Sequence, residues 1–393
     1  MELYQHKNEC CGCGACATAC PKKAITMIAD VYGFYYPVID FDKCVGCGKC
    51  IQVCAFKKNN EQEKKPLSTY VAVSKNDEIL GVSTSGGAFA EIAKRILQKG
   101  GVVFGCAYTE DFLSAKHIKI SSMDELKRLQ GSKYIQSDTR EVFTSVKACL
   151  EKEQEVLFSG TPCQVASLRQ FLGKEYPFLY CVDVICHGVG APALLAKDIQ
   201  YLTKGEKIKD LSFRDKKNGW GTLGSITTEK RKIKFNQLTS TYYYYYYLEN
   251  ALFRDSCYHC RYPSEKRVGD ITLGDYWRVE SAHPEIVGKI DVSKGVSCVL
   301  VNTEKGKGLI EELSEELLLF PSEYKKIERR NGQLVHCCAE PSQRTEIFEL
   351  FEKNGYEQVV KYCKKKNRKK RLVLRLKSFI PRKIKILLKK KCK

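Results

Sequence analysis

Apolar residues recur at helical spacing through Ala88, Phe89, Ile92, Ala93, Ile96 and Leu97, and Gly100-Gly101 closes that segment. Val102 to Ala107 is then a short continuous apolar run of strand type. The alternation continues. A helix is predicted over 139–153, a strand over 155–159, a helix over 164–172, a strand over 179–185 and a helix over 192–202. Strands alternating with helices predict an α/β region with a largely parallel sheet covered by helices. From about 211 to 303 the chain is richer in β and turn signals, and Tyr242 to Tyr247 reads as one aromatic-rich helix or strand face. A last helical pattern covers 344–360.

These patterns divide the chain. Residues 1–56 are cysteine-dense, and the polar stretch opening 57–74 reads as a linker. Residues 75–155 and 156–340 form the first and second parts of the α/β region. A helix at 341–360 and a basic tail at 361–393 follow. The whole is expected to be α+β at its small N-terminal module and α/β beyond it.

Composition sharpens this reading. The 393 residues carry 21 cysteines, and the first nine residues contain no apolar run, so no secretory peptide is expected. Nor is there an apolar run of about 18 residues that would span a bilayer. Cysteine-rich chains without a secretion signal use thiols for metal or redox chemistry rather than for disulfides. The net charge is +20, yet residues 361–393 hold 17 Lys and Arg and no acid. The rest has 49 basic and 46 acidic residues, so the body is nearly neutral and is not expected to bind nucleic acid.

Cys10, Cys13, Cys16 and Cys20 follow the spacing Cys-x2-Cys-x2-Cys-x3-Cys, with Pro21 after them. Cys44, Cys47, Cys50 and Cys54 repeat it, with Ala55 in place of proline. The x2 spacing offers three sulfurs to one cubane, and the fourth cysteine of each run reaches the other cluster. The pattern therefore predicts a ferredoxin-type module with two 4Fe–4S clusters. One is held by Cys10, Cys13, Cys16 and Cys54, the other by Cys44, Cys47, Cys50 and Cys20. Zinc ribbons use two Cys-x2-Cys pairs and do not account for two four-cysteine runs. Gly12, Gly14, Gly46 and Gly48 relieve crowding where the backbone wraps each cluster.

A second quartet is scattered. Cys163 and Cys186 each follow a predicted strand, and Cys257 and Cys260 form a Cys-x2-Cys pair. Loops after consecutive parallel strands lie side by side at the carboxyl edge of a sheet, so the four could share one site. Each also has an ordinary reading: a buried small residue for Cys163 and Cys186, zinc or a redox pair for Cys257 and Cys260. Cys11, Cys106, Cys149, Cys181, Cys298, Cys337, Cys338, Cys363 and Cys392 read as structural or incidental. Ser85, Gly86 and Gly87 precede a helix and serve equally as a phosphate cradle or an N-cap. Gly131, Ser132, Lys133 and Tyr134 form a second glycine-containing segment. Neither matches a Rossmann fingerprint or a P-loop.

Together, Ser83-Thr-Ser-Gly-Gly, Gly131-Ser-Lys-Tyr-Ile-Gln-Ser, Ser159-Gly-Thr-Pro-Cys-Gln, Asp183-Val-Ile-Cys-His-Gly, Phe213-Arg-Asp-Lys, Ser256-Cys-Tyr-His-Cys and Asp270-Ile-Thr-Leu-Gly-Asp-Tyr-Trp resemble the beta-subunit family of coenzyme F420 hydrogenases and dehydrogenases. The resemblance covers roughly 75–320. It implies an FAD-dependent oxidoreductase with a third 4Fe–4S cluster, on Cys163, Cys186, Cys257 and Cys260. It makes Ser85, Gly86, Gly87, Gly131, Ser132, Lys133, Tyr134, Gly160, Thr161 and Pro162 flavin contacts, and leaves His187 and Lys133 as candidates for proton supply or flavin tuning. The reaction expected is hydride exchange between FAD and an organic substrate or coenzyme, coupled to single-electron flow to or from a redox partner. The alternative is a non-catalytic electron-transfer adapter, or a membrane-associated accessory protein in surface-polysaccharide synthesis.

In the tail, Leu372, Val373, Leu374, Leu376, Phe379, Ile380, Ile384, Ile386, Leu387 and Leu388 interleave with Lys and Arg. A cationic amphipathic stretch of this kind can lie on an anionic membrane surface. The expected location is cytoplasmic, peripheral at the inner face of the membrane. A solvated tail is the plain alternative.

Overall fold

The computed structural model describes residues 3–57, 64–216, 219–235 and 241–378. The strands run in chain order as β1 (Ile25–Ala29), β2 (Tyr35–Ile39), β3 (Ser68–Ser74), β4 (Val102–Tyr108), β5 (Ala115–Ile120), β6 (Ser137–Asp138) and β7 (Val156–Gly160). They continue as β8 (Leu179–Val184), β9 (Ile208–Ser212), β10 (Gly224–Thr228), β11 (Lys232–Phe235), β12 (Ile271–Asp275), β13 (Ser297–Val301) and β14 (Leu317–Ser322). Nine strands form one sheet in the order β14-β3-β13-β12-β8-β7-β4-β5-β6. Its centre, β12-β8-β7-β4, is parallel. Antiparallel neighbours on both sides make the sheet mixed. A hairpin, β1-β2, belongs to the N-terminal module, and β9-β10-β11 form a separate antiparallel sheet.

Alternation along the central strands feeds two apolar layers. Val103 and Leu157 pack with the helix Ala88–Gln98 and with Leu309 and Ile310 of the helix Glu304–Glu311. Val102, Phe104, Val156 and Phe158 point the other way, into the helices Val142–Leu150 and Pro162–Leu172. A third, aromatic core joins Phe34 and Tyr36 of the N-terminal module to the helix Tyr242–Leu248, in which all six tyrosines are buried. Among the described residues no helix is long and apolar enough to cross a membrane.

Three boundaries differ from the sequence reading. The linker expected over 57–74 is shorter, because β3 pairs with β13 and β14 at the heart of one sheet edge and Lys64 bridges to Arg267. The apolar Val71, Ala72 and Val73 drive that burial. Nor does a boundary at 155 divide the α/β region, since strands from both sides of it share the nine-stranded sheet. The helix expected over 341–360 is two, Gln343–Asn354 and Tyr356–Lys366, broken at Gly355 with φ 77°. The basic tail begins as helix Arg368–Ser378, and its residues from Phe379 onward lie outside the described residues.

Candidate iron–sulfur and flavin site

The two cysteine runs fold as the spacing requires. Gly12, Gly14, Gly46 and Gly48 all take positive φ, between 67° and 79°, which lets the backbone turn tightly around the sulfurs. Backbone amides point at the thiols: Gly12 N–H donates to Cys10 Sγ at 3.4 Å and Ala24 N–H to Cys20 Sγ at 3.3 Å. Sulfur neighbourhoods cross between the runs. Burial pushes the Cys16 thiol up, and so do the sulfurs of Cys13, Cys10 and Cys54. Burial raises Cys50 as well, with Cys47 and Cys20 adding to it. Cys54 thus sits with the first run and Cys20 with the second, an interlock that suits two cubanes sharing ligands. Among the described residues no three His, Cys, Asp or Glu side chains are arranged around a single ion.

The module is held against the sheet domain by Arg254. This side chain is fully buried. Its Nε donates to Cys10 O at 2.7 Å, its Nη2 to Tyr35 O at 2.9 Å and its Nη1 to Gln136 Oε1 at 3.1 Å. The guanidinium also lies 4.0 Å from the Tyr36 ring centroid. Gln136 Nε2 donates to Cys11 O and Thr139 Oγ1 to Cys13 O, both at 2.9 Å. Sequence reasoning passed over Arg254. Its place in the turn before Cys257 (Arg254-Asp-Ser-Cys) gives no hint of a long-range partner.

The scattered quartet comes together. Cys163 opens the helix Pro162–Leu172 directly after β7, and Cys186 follows β8, its parallel neighbour. Cys257 and Cys260 lie on and just after the short helix Asp255–Tyr258. All four line one cavity. Cys11, Cys337 and Cys338 line it too, which corrects their reading as structural or incidental thiols. Cys337 Sγ donates to Tyr258 O at 3.1 Å and Cys338 Sγ to His187 O at 3.0 Å. Cys149, Cys181, Cys298 and Cys363 are buried, as that reading expected, and Cys106 is half-buried. Cys392 lies outside the described residues.

The cavity favours a cationic filling. Burial pushes the Cys257 thiol up to about 11 and the Cys260 thiol to about 12, and Cys257 adds to the second shift. Four thiolates are costly here until a cation offsets them. A backbone amide, Val189 N–H, already donates to Cys257 Sγ at 3.5 Å. Behind Cys260, Arg267 is nearly inaccessible and donates from Nη2 to Asp183 Oδ1 at 2.8 Å. Cys11 joins this cavity to the module. Its thiol contacts Ser167 Oγ at 3.9 Å and neighbours both Cys13 and Cys163.

The ten expected flavin contacts fall in two places. Ser132 Oγ donates to Thr84 Oγ1 at 3.1 Å, which brings the 83–87 and 131–134 segments together. Gly160, Thr161 and Pro162 lie at the cysteine cavity instead, where Thr161 Oγ1 is 3.1 Å from Cys163 Sγ. Much of the first group is used internally. Ser85 Oγ donates to Val296 O at 2.6 Å, and Gly86 N–H donates to Ser297 Oγ at 2.9 Å. A Cβ on Gly86 would collide with the Ala72 carbonyl, and Gly87 caps the following helix with φ 85°.

Beside these segments lies a nook with unmet polar groups. Arg214 Nη1 donates to Tyr134 Oη at 3.1 Å and to Asp275 Oδ2 at 3.2 Å. Arg214 Nε and Nη2, Asp275 Oδ1 and Tyr244 Oη are buried without a hydrogen-bond partner among the described residues. Such groups are expensive to leave bare, so they suit a polar bound group. Arg214 also sits 5.0 Å from the Trp277 ring, and Trp277 stacks on Trp220 at 4.7 Å and 6°. The Arg214, Asp275 and Trp277 positions fall within two of the quoted sequence motifs, yet they were not singled out as contacts.

The two candidate proton carriers are apart. Lys133 Nζ donates to Gln130 O at 2.6 Å and Arg128 O at 3.0 Å, and burial lowers its pKa to about 8. His187 lines the cysteine cavity, accepts or donates at Nδ1 with Gln333 Nε2 at 2.6 Å, and has its pKa lowered by burial. Rings lie between the two regions. Tyr134, next to Lys133, stacks on Tyr247 at 4.8 Å, and Tyr247 is 6.1 Å from the His187 ring.

Residues 9–58 match the 4Fe-4S dicluster domain. Residues 153–326 match the family described as the C terminus of the coenzyme F420 hydrogenase/dehydrogenase beta subunit. Among solved structures, a chain of the xenon-derivatized F420-reducing NiFe hydrogenase complex from Methanosarcina barkeri aligns at 14% identity and a TM-score of 0.46. That alignment covers 74% of this chain and 94% of the other. No curated protein matches the chain.

Proposed function

Over residues 153–326 this chain belongs to the coenzyme F420 hydrogenase/dehydrogenase beta-subunit family, with a 4Fe-4S dicluster domain before it, and we propose that it is an iron–sulfur flavoprotein oxidoreductase. Its reaction would exchange a hydride between an organic substrate or coenzyme and FAD, with single electrons passing to or from a partner. One observation carries the reading. The cavity lined by Cys163, Cys186, Cys257 and Cys260 abuts the dicluster module through Cys11 on one side and approaches the Arg214 nook through Tyr247 and Tyr134 on the other.

Bound FAD would supply the conversion between two-electron hydride chemistry and one-electron flow that clusters cannot perform alone. Cys163, Cys186, Cys257 and Cys260 would hold a third cluster. Arg214, Asp275, Tyr244, Ser132 and Tyr134 would hold the flavin, with the Arg214 cation suited to an anionic or carbonyl oxygen. Tyr134, Tyr247 and Phe253 wall the space between the two regions and keep water out of it. The Gln333 amide donates to His187 Nδ1, so a neutral His187 carries its proton on Nε2 and can hold it there at neutral pH. Lys133, with a pKa near 8, exchanges a proton close to neutrality.

The test is anaerobic reconstitution with iron, sulfide and FAD, followed by optical and paramagnetic-resonance spectra. FAD retention, and three cubane signals reduced by dithionite, are expected. Protein that fills its clusters but keeps no flavin would turn the assignment to a non-catalytic electron-transfer adapter. The internal use of Ser85 and Gly86 is the observation that favours that second reading. We also propose that the basic tail rests on an anionic membrane surface. Vesicles containing phosphatidylserine should sediment the full chain and not a chain ending at 366.

A further inference from the structure

The two clusters of the N-terminal module are not equivalent in access. The first run faces inward, with Cys11 and Cys13 against Ser167 and Cys163. The second faces out. Cys47 is exposed, and the loop around it carries Val45, 61% exposed, with Phe41, 63% exposed, just before it. Two uncharged side chains of that size in water beside a redox centre form a contact surface that the chain itself does not use.

The charge around that loop is uneven. Between residues 20 and 50 there are four lysines and three aspartates. Lys43 pairs with Asp40 at 2.6 Å, and Asp30 pairs with Lys7 at 3.1 Å. Lys22, Lys23 and Lys49 are exposed and make no ion pair among the described residues, against the single unpaired carboxylate of Asp42. Lys22 and Lys49 flank the same depression as Cys20, Cys44, Cys47 and Cys50. A small apolar centre with a cationic rim is the form of a transient electron-transfer interface. Its charge steers encounter, and its area stays low enough for fast release.

We propose that this face docks an acidic one-electron carrier protein of the ferredoxin or flavodoxin chemical class, with Lys22, Lys23 and Lys49 meeting its carboxylates and Phe41 and Val45 seated at the centre. The inference rests on the dicluster module being the electron exit of the oxidoreductase proposed above, and it does not depend on the flavin. One electron crosses per encounter between the carrier's reduced centre and the oxidised outer cluster, in either direction, with no bond made or broken.

The full-length, iron-loaded chain is titrated with a purified, fluorescently labelled acidic ferredoxin, and a second sample is treated with a zero-length carbodiimide that joins lysines to carboxylates. Peptide mapping should find the couplings at Lys22, Lys23 or Lys49. Binding should weaken at least tenfold in the K22E/K23E/K49E chain at low salt, and should weaken similarly for the unaltered chain as salt is raised. The K22Q/K23Q/K49Q chain should fall between them, which covers the case in which charge reversal costs iron. Couplings confined to 361–393, equal binding by the altered and unaltered chains, or no binding would each overturn the proposal. Flavin content, measured on the same samples, reports separately on the function proposed above.

Discussion

Arg254 Nε, Nη1 and Nη2 each hold a partner on a different segment, so no shorter or single-headed side chain can replace it. Arg254→Ala should lower stability by about 3 kcal/mol or more, because two buried carbonyls lose a charged donor. Arg254→Lys should recover only part of that. Denaturant midpoints, read together with protease sensitivity of residues 1–57, check both. Gly12 bears on the same contact: with φ 71° and Arg254 Nη1 2.8 Å from where a Cβ would lie, Gly12→Ala should also loosen the module. Lys133 gives a pH signature. Its folded pKa of about 8 lies below the ordinary 10.5, so between those values the unfolded chain keeps a proton that the folded chain has released. Through this group stability rises with pH across that window. Unfolding free energies of wild type and Lys133→Met at pH 7 to 10 should therefore diverge in favour of the wild type as pH increases, and a constant difference would rule the shift out.

At the scale of elements, the helix Tyr242–Leu248 shows how one residue type takes several roles. Tyr243 Oη donates to Tyr134 O at 2.6 Å and Tyr247 Oη to Gly188 O at 2.9 Å, while Tyr244 Oη has no partner among the described residues. Tyr243→Phe and Tyr247→Phe should each cost about 1 kcal/mol, and Tyr244→Phe should be neutral or stabilising in thermal melts. If Tyr244 contacts FAD, its replacement should also lower flavin retention without changing iron content. On the outer side of this helix, Arg371 Nη1 donates to Tyr242 Oη at 3.1 Å and Lys370 lies 5.2 Å from the Tyr245 ring, so the start of the basic tail is seated on tyrosines. The run left helix or strand open in the sequence because six identical residues have no period. Thr241, whose side chain accepts from Tyr244 N–H, was the available capping signal. Helices such as Ala88–Gln98 were readable because their apolar spacing and closing glycines agree. Strand β3 was hidden by the polar residues before it, and its burial depends on β13 and β14, which lie more than 200 residues away.

For the molecule as a whole, the eight cysteines of the N-terminal runs were legible because their ligand spacing is local. The quartet of Cys163, Cys186, Cys257 and Cys260 was suggested by strand ends and by resemblance. Cys11, Cys337 and Cys338 were not, because only the tertiary fold carries them to the same cavity. The flavin contacts were the least legible: glycine-rich loops serve backbone packing as readily as ligand binding, and Gly86 does the former. Cys186→Ser should remove about four irons per chain and leave the N-terminal cluster signals intact, by chemical analysis and paramagnetic resonance. Loss of all signals together would mean that the centres are not separable.

Cys11 and Phe56, both from the first 57 residues, form part of the wall of the cysteine cavity whose other sides come from the sheet domain. A chamber walled by a neighbouring segment is filled most readily before that segment settles. On the proposed reading, biogenesis therefore has a sequence: the innermost centre is loaded while the amino-terminal arm is still open, and the solvent-facing one can be inserted last or repaired in place.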